Sequence, residues 1–406
     1  MSGTSRRAFL ADAAGALAGI SLLPRTISMA PIRLAEPVRV GLVGVGRQGR
    51  AIITELQKLP DVTIGAVCDT SASRLSAAQA RAPGSQAVED FRAVLDMEDI
   101  PGVIVATPTH LHREIVEAAI AAGRHVYCEA PLAATVEDCL AIATAAAGTR
   151  LVLHAGFQAR SNPVYQRAHP LVQTELRDII SMGGHFHHKT SWRFPTVEPG
   201  MERTANWRLD PEVSIGLVGE MGSHQLDVAL WYRENLPVTA LGTGGVRFHR
   251  DGRVVPDTVH VDLQWPDGTS FHYDATLANS YGGRYEVFHG SNGAIKLADT
   301  HGWLFKEVDA PTQGWEVYAT RQQFFQDEGI ILIADATKLA AQGRLKDGIG
   351  LPYPPLYYAL ADFLRSVTEG TPVACSASDG AHSSIVSILA NQAVLSGSAV
   401  GISIPE

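Results

Sequence analysis

The chain has 406 residues, 46% of them hydrophobic and 18% charged, enough to bury a large core in about two domains. Its net charge of −9 argues against bulk binding to nucleic acid or to an anionic membrane, and no run reaches the length of an apolar membrane span. The four cysteines, Cys68, Cys128, Cys139 and Cys375, show no CxxC pair and no metal spacing, and read as buried thiols.

At the start of the chain, Ser5-Arg-Arg-Ala-Phe-Leu10 and the mildly apolar run 13–23 predict a twin-arginine export signal within a flexible segment, residues 1–36. That implies a periplasmic destination, or a cytoplasmic one if the signal is not used. Ser28-Met-Ala30 suits the small-residue cleavage rule, although Pro31 follows it.

A short buried strand over 38–43 then runs directly into Gly44-Val45-Gly46-Arg47-Gln48-Gly49, and a helix is predicted over 51–58. Strand, glycine turn and helix in that order form a dinucleotide-binding fingerprint. Gly44 permits the tight turn, Gly46 lets a pyrophosphate approach the backbone, and Gly49 lets the helix pack on the strand. A second strand, 62–68, ends in Asp69, twenty residues beyond Gly49. An acid there binds the adenosine ribose hydroxyls and favours NAD over NADP, while Arg74 nearby keeps NADP open.

Further on, helices are predicted over 71–81, 110–122 and 136–147, and strands over 102–106, 125–128 and 151–154. This alternation predicts an α/β domain, residues 37–155, built on a doubly wound parallel Rossmann sheet. After Gly156 the pattern changes. A long β-rich run (179–193), a hairpin over 254–277 turning at Pro266-Asp-Gly268, and shorter runs at 285–288, 294–297 and 303–308 predict a large, mostly antiparallel sheet. Helices over 163–176, 223–232, 331–342, 357–368 and 379–395 complete a C-terminal α+β domain, residues 156–406. Its extended sheet offers an interface for a homo-oligomer, a dimer or tetramer.

Thr107-Pro-Thr-His-Leu-His112 follows the 102–106 strand at its carboxyl edge, where an open α/β sheet holds its ligand. Ala122-Gly-Arg-His-Val-Tyr-Cys-Glu-Ala-Pro-Leu132 and Glu220-Met-Gly-Ser-His-Gln-Leu-Asp227 come later. With the glycine turn, these motifs resemble the glucose–fructose oxidoreductase / inositol dehydrogenase / MocA family over nearly the whole chain after residue 37. The resemblance implies that Thr107, Pro108 and His112 contact the nicotinamide ribose. It also implies that the segment holding Glu129 lies along the cofactor, and that Trp207 and Arg208 reach it. The family's catalytic lysine is absent, because Glu129-Ala130-Pro131 stands in place of its EKP motif. The same resemblance places Glu220 and His224 against the substrate hydroxyl, with Asp227 also matching.

Oxidising a sugar hydroxyl requires a placed base for its proton as well as a hydride acceptor. Ala130 can neither orient the hydroxyl nor take its proton, so His224 is read as the base. Lys189, in His185-Phe-His-His-Lys189, is the candidate replacement for the missing lysine, the alternative being an ordinary solvated lysine on a strand edge. His185 and His187 share one strand face. With no third ligand evident they are read as substrate hydrogen-bonding groups, and no metal is expected. Three readings follow: an NAD-dependent oxidoreductase on a sugar or cyclitol, a redox-neutral NAD-dependent glycosidase or lyase, and a non-catalytic NAD-binding protein. The first is preferred, with no nucleic-acid or membrane partner.

Overall fold

The computed structural model describes residues 30–195, 200–324, 326–332 and 350–404. The export signal expected within 1–36 lies outside them but for its last residues, as does most of the helix expected over 331–342. Ile331 itself ends a strand.

The alternating half follows its sequence pattern closely. It runs β1 (Val38–Val43), α1 (Arg47–Leu56), β2 (Val62–Cys68), α2 (Ala72–Arg81), β3 (Gln86–Val88), α3 (Phe91–Leu95), β4 (Gly102–Val105), α4 (His112–Ala121), β5 (His125–Glu129), α5 (Val136–Ala147) and β6 (Leu153–Gly156). All pairings are parallel, in the order β3-β2-β1-β4-β5-β6. The strand order reverses between β1 and β4, and a crevice beyond their carboxyl ends is where such sheets hold ligands. β4 is buried on both faces, as a parallel strand covered by helices must be. Capping fixes the helix starts: the hydroxyl of Ser71 accepts from the Arg74 N–H, and that of Thr135 from the Asp138 N–H.

The rest of the chain comprises α6 (Pro163–Thr174), β7 (Ile179–His187), α7 (Ser223–Arg233), β8 (Thr239–Gly245), β9 (Thr258–Gln264), β10 (Ser270–Thr276), β11 (Arg284–Gly290), β12 (Gly293–Ala298), β13 (His301–Lys306), β14 (Arg321–Gln323), β15 (Glu328–Ile331), α8 (Pro355–Glu369), α9 (Ala377–Ser396) and β16 (Val400–Gly401). Cα packing divides the molecule into two compact units. The larger takes described residues 30–162, 182–286 and 353–404, and so holds the parallel sheet together with strands in the order β7-β10-β9-β8-β16. The smaller takes α6 and strands in the order β14-β15-β13-β12-β11. The pairs β8–β9, β9–β10, β8–β16, β12–β13, β13–β15 and β14–β15 are antiparallel.

Within the larger unit, α9 packs on α5, β6 and β8. A capping box of Ser376 and Asp379 opens it. Its Ala381, Ile385 and Ile388 join Cys139, Ile142 and Ala155 in one buried cluster. Two small residues permit the close approach. A Cβ on Gly380 would lie 2.4 Å from the Ala155 Cβ, and one on Gly242 of β8 would lie 2.6 Å from a Val394 methyl. Among the described residues no helix is long and apolar enough to cross a membrane.

Candidate active site

A cavity of about 910 Å³ opens beyond the carboxyl ends of β1, β2, β4 and β5, entirely within the larger unit. The glycine turn forms one wall. Gly44 has φ +91°, and a Cβ there would lie 2.6 Å from the Ala106 carbonyl. A Cβ on Gly49 would come within 2.1 Å of the Gly44 oxygen, so this residue lets α1 close on the turn. Gly46 differs: a Cβ would meet no protein atom within 4 Å, so its backbone is left open toward the cavity it lines. Arg47 and Gln48 also line the cavity, whereas Val45 is buried behind the turn.

Asp69 faces the same space from the end of β2. Its Oδ2 accepts from the Val45 N–H at 3.0 Å and its Oδ1 from the Ser71 N–H at 3.0 Å, which orients the carboxylate against the turn. Arg74 lines the cavity too, 3.8 Å from that carboxylate. An open glycine backbone beside an oriented acid fits a dinucleotide with its ribose at Asp69.

Beyond β4, Thr107 and Pro108 line the cavity. The His112 ring lies against three backbone carbonyls: Thr107 at 3.0 Å on Nε2, and Pro131 at 3.1 Å and Leu132 at 3.3 Å on Nδ1. It thus braces the Thr107 turn against the Ala130 segment, and burial pushes its pKa down to about 4. Glu129 accepts from the Gln48 amide at 2.9 Å, and burial pushes its carboxyl up to about 7.

The opposite wall comes from a run of π-type helix, Val218–Gly222, leading straight into α7. It presents Glu220 and His224 to the cavity. Wide helical turns of this kind recur at functional sites because they re-aim side chains. Glu220 is buried, pairs with the Arg208 guanidinium at 3.2 Å, and lies 3.4 Å from the Thr109 hydroxyl. Burial outweighs these partners and raises its carboxyl to about 7. The Arg208 guanidinium rests 4.4 Å over the Trp207 ring, and both residues line the cavity. The His224 ring meets Phe157 edge-on at 5.7 Å, and its nitrogens make no hydrogen bond among the described residues. Burial first, then the Arg284 and Arg208 charges, push its pKa down to about 3.

Ala130 lines the cavity, and no lysine among the described residues does. Lys189, expected to replace the family's lysine, is placed elsewhere. β7 stops at His187, short of the expected end at 193, and the chain beyond it is held by the Lys189 N–H on the Ser280 hydroxyl. Its ammonium sits 5.1 Å over the Phe248 ring. Asp227, expected near the substrate, is fully buried. It takes two hydrogen bonds from Arg160 Nε and one from Nη2, at 2.9–3.1 Å, plus one from the Ser383 hydroxyl at 2.7 Å. It therefore ties α7 to α9. His185 and His187 do not line the cavity either; they gather around Asp274 on the opposite face of β7 and β10 from the buried side chains. The sequence reading missed Gln158, Thr109 and Arg284 as cavity residues. For Arg284 the signal was the preceding Gly282-Gly283, which marks a turn leading into a strand.

A family model described as "Oxidoreductase family, NAD-binding Rossmann fold" matches residues 38–157, and one described as "GFO/IDH/MocA C-terminal domain" matches residues 174–296. Inositol 2-dehydrogenase 3 of Saccharopolyspora erythraea is 37% identical over 275 residues, 64% of this chain and 73% of its own. Levoglucosan dehydrogenase of Pseudarthrobacter phenanthrenivorans is 26% identical over 383 residues, 85% of this chain and 93% of its own. The chain belongs to the GFO/IDH/MocA family and is an NAD-dependent oxidoreductase. The crystal structure of an oxidoreductase domain protein from Kribbella flavida shares the fold, with TM-score 0.73 at 21% identity over 91% of this chain and 100% of that one.

Proposed function

We propose that this enzyme oxidises a ring hydroxyl of a sugar or cyclitol, with His224 taking the hydroxyl proton. The observation that carries this reading is the cavity itself. It is shared by the open glycine turn, Asp69 and a neutral imidazole whose nitrogens have no protein partner among the described residues. NAD, when bound, supplies the hydride acceptor. The chain's own residues then handle position and charge. His224 is unprotonated at neutral pH, the state a base must be in before it takes a proton. The Arg208 and Arg284 charges that lower its basicity also favour negative charge on the substrate oxygen as its proton departs. Glu220 neutralises Arg208 and, with a pKa of about 7, adjusts that field across neutral pH. These groups orient the hydroxyl in place of the lysine that Ala130 removes. The related sugar and cyclitol dehydrogenases, acting on levoglucosan and inositol by name, support the substrate class.

Ala130 in the cavity wall favours a second reading, redox-neutral glycoside cleavage. There, oxidation at one carbon acidifies the neighbouring C–H, elimination breaks the glycosidic bond, and the hydride returns. The twin-arginine-like start supports export, and an exported enzyme without a reductase partner is best served by a tightly held cofactor and no net redox change. The extended antiparallel strands support a homo-oligomer. The test is to incubate the purified protein with NAD and panels of free sugars, cyclitols and glycosides, following nicotinamide reduction and released sugar together. Sugar-dependent reduction supports the first reading, and sugar release without net reduction the second. Neither activity on any panel, with nucleotide bound, would overturn both.

A further inference from the structure

The open face of β7, β10 and β9 carries a group of side chains that the oxidoreductase chemistry does not use. His185 and His187 alternate along β7 and so share a face. Their rings lie 3.7 Å apart between centroids. Asp274 of β10 stands beside them, with its Oδ2 2.9 Å from His187 Nε2 and 3.5 Å from His185 Nδ1. On β9, His260 lies directly across the antiparallel pair from Asp274, and its Nδ1 holds the other carboxylate oxygen at 2.9 Å.

We propose that His185, His187 and Asp274 form a binding site for a divalent transition-metal ion, zinc by preference, with His260 orienting the carboxylate. Three features support it. First, one ligand atom from each residue falls within 4.8 Å of the others. A tetrahedral zinc with bonds of about 2.0–2.2 Å needs ligand-to-ligand edges of roughly 3.3 Å, so the observed 2.9 and 3.5 Å on Oδ2 require only small side-chain shifts.

Second, the His185 ring is already set for ligation. Its Nε2 donates to the Tyr281 carbonyl at 3.3 Å, which leaves the Nδ1 edge of the ring facing Asp274. A ligating histidine held through its other nitrogen by a backbone carbonyl, and a ligating carboxylate held by an outer donor, is the usual support of a metal site. The backbone carrying that carbonyl fits closely: Gly282 has φ +82°, and a Cβ there would lie 2.8 Å from His185 Nε2. The ring also stacks on Tyr285 at 4.8 Å.

Third, access and chemistry agree. The His185 and His187 side chains are 15% and 18% exposed and Asp274 42%, so the site is walled yet open to ions from solvent. Two imidazoles and one carboxylate select zinc and its neighbours over calcium or magnesium, which prefer oxygen ligands. Three protein ligands leave a fourth position for water.

The test uses the full-length protein without a histidine tag, stripped by a chelator and titrated with Zn²⁺ against a chromophoric chelator. About one Zn²⁺ should bind per chain. Asp274→Asn, and the double change His185→Gln with His187→Gln, should each weaken binding at least tenfold. Asp262→Asn, which breaks the neighbouring His272–Asp262 pair on β10 and β9, should leave it unchanged. Since a variant can fail to fold, the parent is also loaded with Co²⁺, where intense visible bands report four-coordinate nitrogen and oxygen ligation. Failure of the parent to take up Zn²⁺ would overturn the proposal. So would featureless cobalt spectra, or unchanged Zn²⁺ affinity in a folded Asp274→Asn protein.

Discussion

In the cavity, Glu129 and Glu220 are buried and burial raises both carboxyls to about 7, while the histidines around them are held neutral. On the open sheet face, Asp274 keeps 42% of its side chain exposed and has imidazoles against both oxygens. The same residue types thus serve two electrostatic regimes. Desolvation dominates in the cavity, so a proton can be taken up or given near neutral pH. On the sheet face, solvent and neighbouring ligands dominate, so a cation can be gathered. The cavity suits proton transfer because burial brings its carboxyls toward neutral pH, and the sheet face suits ion capture because its carboxylate stays partly exposed.

Breaking the cavity at its turn should produce the largest effect. Gly46→Val is expected to abolish NAD binding with the fold intact, because its Cβ enters space that no protein atom occupies. Gly49→Ala should instead lower the melting temperature, since its methyl meets the Gly44 oxygen at 2.1 Å. Nucleotide titration beside thermal unfolding separates the two, and retained NAD affinity in Gly46→Val would show that the turn does not seat the phosphates.

Removing the base comes next. His224→Ala should cut turnover on a confirmed substrate by about 10²–10⁴-fold while NAD remains bound. Undiminished turnover would refute the assignment. Ala130→Lys sharpens the same point: a gain in sugar-dependent NAD reduction marks an altered dehydrogenase site, and loss of glycoside cleavage without that gain marks the redox-neutral route.

A smaller effect is expected on cofactor choice. NAD should bind more tightly than NADP, because a 2′-phosphate would meet the Asp69 carboxylate. Asp69→Ser should narrow the preference by about tenfold, or about 1.4 kcal/mol. Arg74, 3.8 Å from that carboxylate, is the natural partner of a 2′-phosphate once the acid is gone. Equal affinities in the parent would count against this reading of Asp69.

The smallest effect concerns acid stability. His154 is buried, neither ring nitrogen is hydrogen-bonded among the described residues, and burial pushes its pKa down to about 3 from 6.5. The unfolded chain therefore binds more protons below pH 6.5, and stability is lost as the pH falls from there toward 3. Glu129 and Glu220 act in the opposite sense. Raised from 4.5 to about 7, they withdraw stability as the pH climbs through that window. His154→Phe, packed between Tyr127 and Phe363, should bring the urea midpoint at pH 5 closer to its value at pH 7. An unchanged gap between the two midpoints would mean that His154 does not govern the acid limb.

The parallel sheet and the nucleotide wall were legible in the sequence because three of the wall's key residues follow their strands by one or two positions. Gly44 follows Val43, Asp69 follows Cys68, and Thr107 comes just after β4. Glu220 and His224 were legible through their motif, since one helical run carries both. What escaped was assembled across strands. Asp274 lies 89 residues beyond His185, so spacing could not reveal the third ligand. Asp227 sits in the same motif as His224, yet Arg160 and Ser383, distant in sequence, turn it into a buried tie. Lys189 failed because the end of β7 is set by bonds to Ser280 and Thr276, which no local pattern encodes. Glycine-rich β8 was not recognised as a strand. Its glycines lack β propensity, and Gly242 and Gly244 admit Val394.

The last stretch of chain has a bearing on how this protein is made. The Leu132 N–H donates to the Ser384 hydroxyl at 2.8 Å, the Ala155 N–H to the Cys375 carbonyl at 3.0 Å, and the Ile32 N–H to the Tyr357 hydroxyl at 2.7 Å. Residues that follow the antiparallel strands therefore finish the core of the parallel-sheet domain that precedes them, and emerge from the ribosome after it. Until then Leu132, Cys139 and Ala155 present an uncovered apolar surface, a natural target for chaperones. A premature stop codon just before α9, removing α9 and β16, would leave every residue of the glycine turn in place and still deny it a stable nucleotide-binding domain.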